Sequence, residues 1–251
     1  MNFFSIHKKT LPSLAVASLL ALGIQPVSAS SAFSTDSTVT LTFNSITSSS
    51  GSTSGLSISG LFEIGDPLTA PGFGKSFTGD GQASYTYTGA SLPSTLGAGD
   101  SFTQYFNAQG SAGNGTINSY YQSYGSFDFT NNSISDIYTV NFSLDYSLDA
   151  VATGSTAGSQ ASIDYSDDWG SIFGSDQAIA NNSHTTASNT TPLTFNMVLN
   201  PGNSNSFYAD IALTGSAAST SPVPLPATLW LFLSAVIGLR GYKSRAIQTH
   251  S

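Results

Sequence analysis

The densest group of side chains able to do chemistry is Asp164-Tyr165-Ser166-Asp167-Asp168-Trp169, with Asp176 beyond it. Calcium takes several oxygen ligands from carboxylates and backbone carbonyls. Asp164, Asp167, Asp168 and Asp176 are therefore the candidate metal ligands, and calcium is the one cofactor the sequence suggests. The spacing departs from the EF-hand loop, which needs alternating Asp/Asn, a glycine and a distal Glu. A solvated acidic loop is the competing reading. Paired carboxylates also serve glycoside hydrolysis, which needs two of them at a set separation. The single glutamate, Glu63, lies in a strand pattern, and Asp145 and Asp149 fall on or beside the polar face of another. Nothing in the sequence pairs them. A serine hydrolase needs a histidine base, and His184 stands alone in the polar run Asn181-Asn-Ser-His-Thr-Thr with no G-x-S-x-G elbow before it. No catalytic set emerges. Aromatic rings offer a different chemistry: Trp169, Tyr120 and Tyr121, with Tyr124 nearby, could stack on sugars.

The elements that must carry these residues are strands. Apolar side chains alternate with polar ones at a period of two. The clearest run is Tyr138 to Leu148, where Tyr138, Val140, Phe142, Leu144, Tyr146 and Leu148 share one face. Similar alternation marks Ser37–Phe43, Leu56–Ile64, Ala83–Thr88, Phe102–Ala108, Ser126–Thr130, Ala161–Tyr165, Leu193–Leu199 and Phe207–Leu213. The last two, joined by Asn200-Pro-Gly-Asn203, read as a β-hairpin. Gly60 is a candidate bulge, and Thr47–Gly55 a Ser/Gly/Thr loop. No segment between residues 30 and 222 has a helical period. Roughly eight to ten strands predict an all-β domain, a single β-sandwich of jelly-roll-like or immunoglobulin-like type, over residues 30–215. Residues 216–222 read as a flexible spacer.

Charge narrows the partners. The chain has 14 acidic and 6 basic residues, net −8. Five of the basic residues lie near the termini, leaving Lys75 alone in the middle. Residues 30–222 thus carry one positive charge against 14 negative ones, a net of −13. Phosphate recognition needs clustered Lys and Arg, so a nucleic-acid partner is excluded. There is no cysteine, which removes thiol chemistry and cysteine-ligated metals. Some 190 residues can bury a core without disulfides.

The termini carry addresses. Lys8 and Lys9 precede the apolar run Leu11–Ile24 and the small-residue site Val27-Ser28-Ala29. That is the layout of a signal peptide over residues 1–29, cleaved between Ala29 and Ser30. At the other end, Val223-Pro224-Leu225-Pro226-Ala227 opens a short apolar segment, residues 227–239, followed by Arg240, Lys243 and Arg245. Read as a single transmembrane helix over residues 227–239, its thirteen residues span roughly 20 Å, against about 30 Å of bilayer hydrocarbon. Pro226 suits a first helical turn. The basic cluster stays cytoplasmic by the positive-inside rule, which places everything before residue 223 outside. A short buried core helix is the alternative by length alone.

Val223 to Ala227, with Leu229-Trp-Leu-Phe232 and the basic end, resembles the PEP-CTERM sorting signal of Gram-negative bacteria. The family's name-giving motif has Glu between the prolines, where this chain has Leu225. The resemblance implies recognition by an exosortase, a membrane transpeptidase-like enzyme, and covers about 25 of the 251 residues. The function expected is that of a non-enzymatic exported surface or matrix protein associated with extracellular polysaccharide. A carbohydrate-binding β-sandwich module is the alternative.

Overall fold

Alternation dictates most of the architecture. Twelve strands are present among the described residues: β1 (Ser31–Ser48), β2 (Leu56–Ile64), β3 (Phe73–Gly79), β4 (Gln82–Gly89), β5 (Ser101–Ala112), β6 (Gly115–Asn131), β7 (Tyr138–Thr153), β8 (Gly158–Asp167), β9 (Phe173–Asn181), β10 (His184–Ser188), β11 (Leu193–Leu199) and β12 (Ser204–Ser219). The computed structural model describes residues 30–64, 73–89, 96–154, 156–188 and 191–220. The expected signal peptide with Ala29 lies outside them. So do the motif Val223–Ala227, the apolar segment 227–239 and the basic cluster Arg240, Lys243 and Arg245. Among the described residues no helix is long and apolar enough to cross a membrane.

All pairings are antiparallel and form two six-stranded sheets. The first runs β10-β7-β1-β5-β4, with β11 also on β7; the second runs β2-β6-β12-β8-β9, with β3 also on β6. The fold is an all-β sandwich. Every second residue of the long strands turns inward: Val140, Phe142, Leu144 and Leu148 on β7 and Phe207, Ile211 and Leu213 on β12 are fully buried. Between the sheets Phe43 meets Phe102, Phe127, Phe129 and Phe142 at centroid separations of 6.2, 6.1, 6.0 and 6.3 Å. Such ring contacts add to the apolar burial that dominates stability.

Three expectations are corrected. Leu193–Leu199 and Phe207–Leu213 are strands but not a hairpin: β11 pairs β7 in the first sheet, and β12 pairs β6 and β8 in the second. The Asn200–Asn203 turn, with Gly202 at φ 76°, lifts the chain from one sheet to the other. Gly60 pairs in regular register with Phe127, and the irregularity falls between Phe43 and Ser45 on β1 instead. The expected spacer from residue 216 is still strand as far as Ser219, because Ser216 to Ser219 continue the ladder with β6.

The first and last strands begin and end together. Ser31 and Ala218 both reach Thr156: the hydroxyls of Ser31 and Thr156 are 3.3 Å apart, and Thr156 Oγ1 donates to the Ala218 carbonyl.

Candidate functional site

Strand parity decides what each candidate residue can do. On β8, Ala161 and Ile163 are buried, so Asp167 also faces inward and Asp164 faces out. Residues three apart on a strand lie on opposite faces. Asp167 is 6% exposed. Its carboxylate accepts from Ser171 N (2.7 Å), Ser171 Oγ (2.7 Å), Ile172 N (2.8 Å) and Asn205 Nδ2 (2.9 Å). Burial pushes its pKa up, but hydrogen bonds from Ile172, Ser171 and Asn205 outweigh this and hold it below the usual carboxylate value. Asp167 is a clamp on the 168–172 turn, whose Gly170 sits at φ 66°.

The other three acids diverge. Asp176 on β9 pairs with Ile163, sharing the inward-facing side, and accepts from Tyr146 Oη at 3.0 Å. Burial first, then this bond, pushes the Tyr146 hydroxyl up to about 12. Asp168, in the turn, accepts from Tyr208 Oη at 2.8 Å. Asp164 sits on the outer face between Asp210 and Ser175. Among the described residues no three His, Asp or Glu side chains converge to hold a metal ion. The structure does not bring Asp164, Asp167, Asp168 and Asp176 together, since parity sends them to two faces and a turn.

The aromatic set divides the same way. Tyr120 and Tyr121 are neighbours on β6, so one faces out and the other in. Tyr121 is fully buried, with Tyr85 and Phe106 at 5.5 and 6.0 Å, and cannot stack on a sugar. Tyr120 is 36% exposed, its hydroxyl donating to Gln122 Oε1. Trp169 is 47% exposed at the tip of the clamped turn. Two residues belong beside them. Tyr124 and Tyr208 stack on the outer face of the second sheet, centroids 5.6 Å apart and planes at 29°. Burial and the neighbouring Tyr208 push the Tyr124 hydroxyl up to about 12. The sequence holds the signal for this pair: both have the parity opposite to the buried residues of their strands.

A second cluster, on the outer face of the first sheet, was not legible as a unit. Asp36 on β1 stands directly opposite Asp149 on β7 and Asn107 on β5. Tyr105 Oη and Asn107 Nδ2 both donate to Asp36 Oδ1, the latter at 2.8 Å. The Asp36 bond, then burial, push the Tyr105 hydroxyl up to about 12. His184 is not a loop residue: it opens β10, and its Nε2 lies 3.1 Å from the Asp149 carboxylate. Asp149 is thus paired, contrary to the sequence reading, whereas Asp145 is exposed as expected. Asp36 and Asp149 are neighbouring carboxylates on an open sheet face. Their hydrogen bonds come from Ser34, Tyr, Asn and His side chains, and no hydroxyl bonded to His184 completes a nucleophile–base pair among the described residues.

No protein-family profile matches this chain, and no curated protein does. Among solved structures it is similar to a family 11 carbohydrate-binding module from Clostridium thermocellum in complex with a β-1,3-1,4-mixed-linked tetrasaccharide. Identity is 11%, coverage is 64% of this chain and 96% of that one, and the TM-score is 0.13. A likeness at that level carries no argument about ligand or activity.

Proposed function

We propose that this chain is a non-enzymatic exported protein of the cell surface or extracellular matrix, sorted by an exosortase-type enzyme. In this reading residues 1–29 are removed on export. The tail then holds the domain at the inner membrane, facing the periplasm, until it is processed. The observation that carries the reading is the fit between the folded unit and the two address segments. β1 starts at Ser31, one residue after the expected cleavage between Ala29 and Ser30, and β12 ends at Ser219, shortly before Val223. The whole buried core, from Phe33 to Ala217, lies between them. The twelve strands among the described residues all lie between the two expected address segments. The shared contact of Ser31 and Ala218 with Thr156 puts both ends of the domain at one end of the sandwich.

Cell fractionation in an exosortase-bearing host tests the sorting. The protein should reach the surface or matrix fraction in the parent strain. It should accumulate in the inner membrane when the exosortase gene is deleted or when Pro224 and Pro226 are both replaced by alanine. Identical distribution in all three strains would sink the proposal.

A second reading, a carbohydrate-binding module, has its own support in the outer-facing pair Tyr124–Tyr208. The four acids expected to bind calcium do not converge, so this reading does not rest on the ion.

A further inference from the structure

The two outer faces of the sandwich differ. On the first sheet the strands present mostly Ser, Thr, Asn and Asp, with Tyr105 the one Phe, Tyr or Trp ring among the described residues, beside His184, Val151 and Val198. On the second sheet Tyr120 and Tyr124 of β6, Tyr208 of β12 and Phe173 of β9 all have outward parity. Trp169 stands at the adjoining turn. Tyr120, Phe173 and Trp169 are exposed and Tyr124 and Tyr208 are half-buried, and a group of aromatic rings on one solvated face is the kind of surface that binding sites use. The rings are interleaved with acceptors. Tyr124, Asp210 and Asp164 lie in one cross-strand row, and Tyr208 donates to Asp168.

The face is also a track. Two shallow depressions of about 360 and 320 Å³ lie along β8 and β9 and share Gln160. Their walls include Ser162, Asp164 and Gln177 in one and Asn118, Asn181 and Thr214 in the other. Outward rows run from Tyr208 and Ser166, through Tyr124, Gln122 and Tyr120, to Asn118 and Ser216. At two residues per row, the distance from the Tyr208 row to the Ser216 row is roughly 27 Å.

Charge selects the occupant. Asp128, Asp164, Asp168 and Asp210 surround the platform. The single lysine of the sandwich, Lys75 on the edge strand β3, pairs with Ser119 of β6; it is exposed, but shares the parity of Ile117 and Tyr121 rather than that of the outer face. Nothing on the track neutralises an acidic polymer.

We propose that the outer face of the second sheet binds a neutral, hydroxyl-rich polysaccharide, with Tyr124 and Tyr208 as its stacking platform and Asp164 and Asp168 accepting sugar hydroxyls. The proposal rests on the carbohydrate-binding reading and adds to it a place and a charge preference. Sugar C–H faces pack against the rings, and their hydroxyls replace water on the carboxylates and amides. Uronate-bearing polymers are repelled.

Affinity electrophoresis of the 30–220 sandwich, which contains the whole core, tests it in gels carrying dextran, hydroxyethyl cellulose, galactomannan or alginate. The wild type should be retarded in at least one neutral gel and not by alginate. Tyr124→Ala and Tyr208→Ala should each weaken retardation by about tenfold, the effect of a central aromatic contact. Tyr105→Ala, on the opposite face, should leave it unchanged. Asp164→Lys replaces an exposed side chain and spares the stacked rings. It should reduce neutral retardation and admit alginate, which keeps the test decisive if a tyrosine variant fails to fold. Retardation in no neutral gel would defeat the carbohydrate-binding reading itself. Retardation unchanged by all three substitutions on the track would place binding elsewhere and overturn this site alone. Equal retardation by alginate would overturn the charge preference.

Discussion

Asp167 shows how a side chain of catalytic or metal-binding type becomes structural. It is buried, its two carboxylate oxygens accept four hydrogen bonds, and the turn it closes holds Trp169 out in solvent. Replacing it by asparagine keeps the shape but turns acceptor oxygen into donor nitrogen. Asp167→Asn should cost about 1–3 kcal/mol near neutral pH. The pH dependence follows from the depressed pKa. The folded carboxylate gives up its proton more readily than the unfolded one, so its contribution is complete above the ordinary carboxylate pKa of about 4. It is lost as pH falls through the lower folded value. Chemical denaturation across that range should show the gap between wild type and Asp167→Asn narrowing in acid; a gap independent of pH would contradict the assignment. Parity within a strand makes part of this legible from sequence. Asp164 and Asp167 cannot share a face, and neither can Tyr120 and Tyr121. The aromatic pair was misjudged because β6 reads as a strand only over Ser126–Thr130, where Phe127 and Phe129 alternate cleanly. Its earlier inward positions interleave Ile117 and Tyr121 with Ser119, Ser123 and Gly125, whose small or polar side chains break the hydrophobic signal.

At the scale of elements, glycines set how closely the sheets approach. Phe33 on β1 lies across Gly110 of β5 and Gly215 of β12. A Cβ at Gly215 would fall 2.0 Å from its ring, and one at Gly110 2.4 Å. Gly215→Ala must push the ring or the sheets apart, and should cost about 1–3 kcal/mol as overpacking. Phe33→Val removes the obstacle, so the double mutant should lose less than the sum of the two single changes. Thermal denaturation of the four proteins measures this; strict additivity would mean that the ring and the glycine do not meet. Long central strands were legible because burial on one face imposes alternation, as on Tyr138–Leu148. The edge strand β3 was not: all seven of its residues are exposed, so no alternation is selected. β10 is short and polar, and β9 alternates small residues with polar ones, Ala178 and Ala180 being its buried apolar side chains. The β11–β12 misreading has a different origin. An Asn-Pro-Gly-Asn turn fixes a local reversal, whereas the choice of sheet is made by partners distant in sequence, β7 for one strand and β6 and β8 for the other.

For the whole molecule, the proposed reading assigns separate jobs to the folded domain and the two terminal segments. The sandwich completes its hydrogen-bonded ladders and its aromatic core between Ser31 and Ser219. It carries a net charge of −13 over residues 30–222, from one lysine against 14 acids. That charge favours solubility outside the cell and disfavours anionic membranes and nucleic acids. Edge strands are an aggregation hazard unless they are blunted. On this domain β3 carries Lys75, and repulsion between acidic copies adds to its protection. The central claim is that both termini are targeting segments removed or processed around an intact β domain. Intact-mass measurement with N-terminal sequencing of the chain recovered from the surface of an exosortase-bearing bacterium tests it most directly. The account predicts an N-terminus at Ser30 and a mass lacking the basic end beyond Leu239. Recovery of the protein with Met1 still in place, or with an intact C-terminus through Ser251, would contradict it.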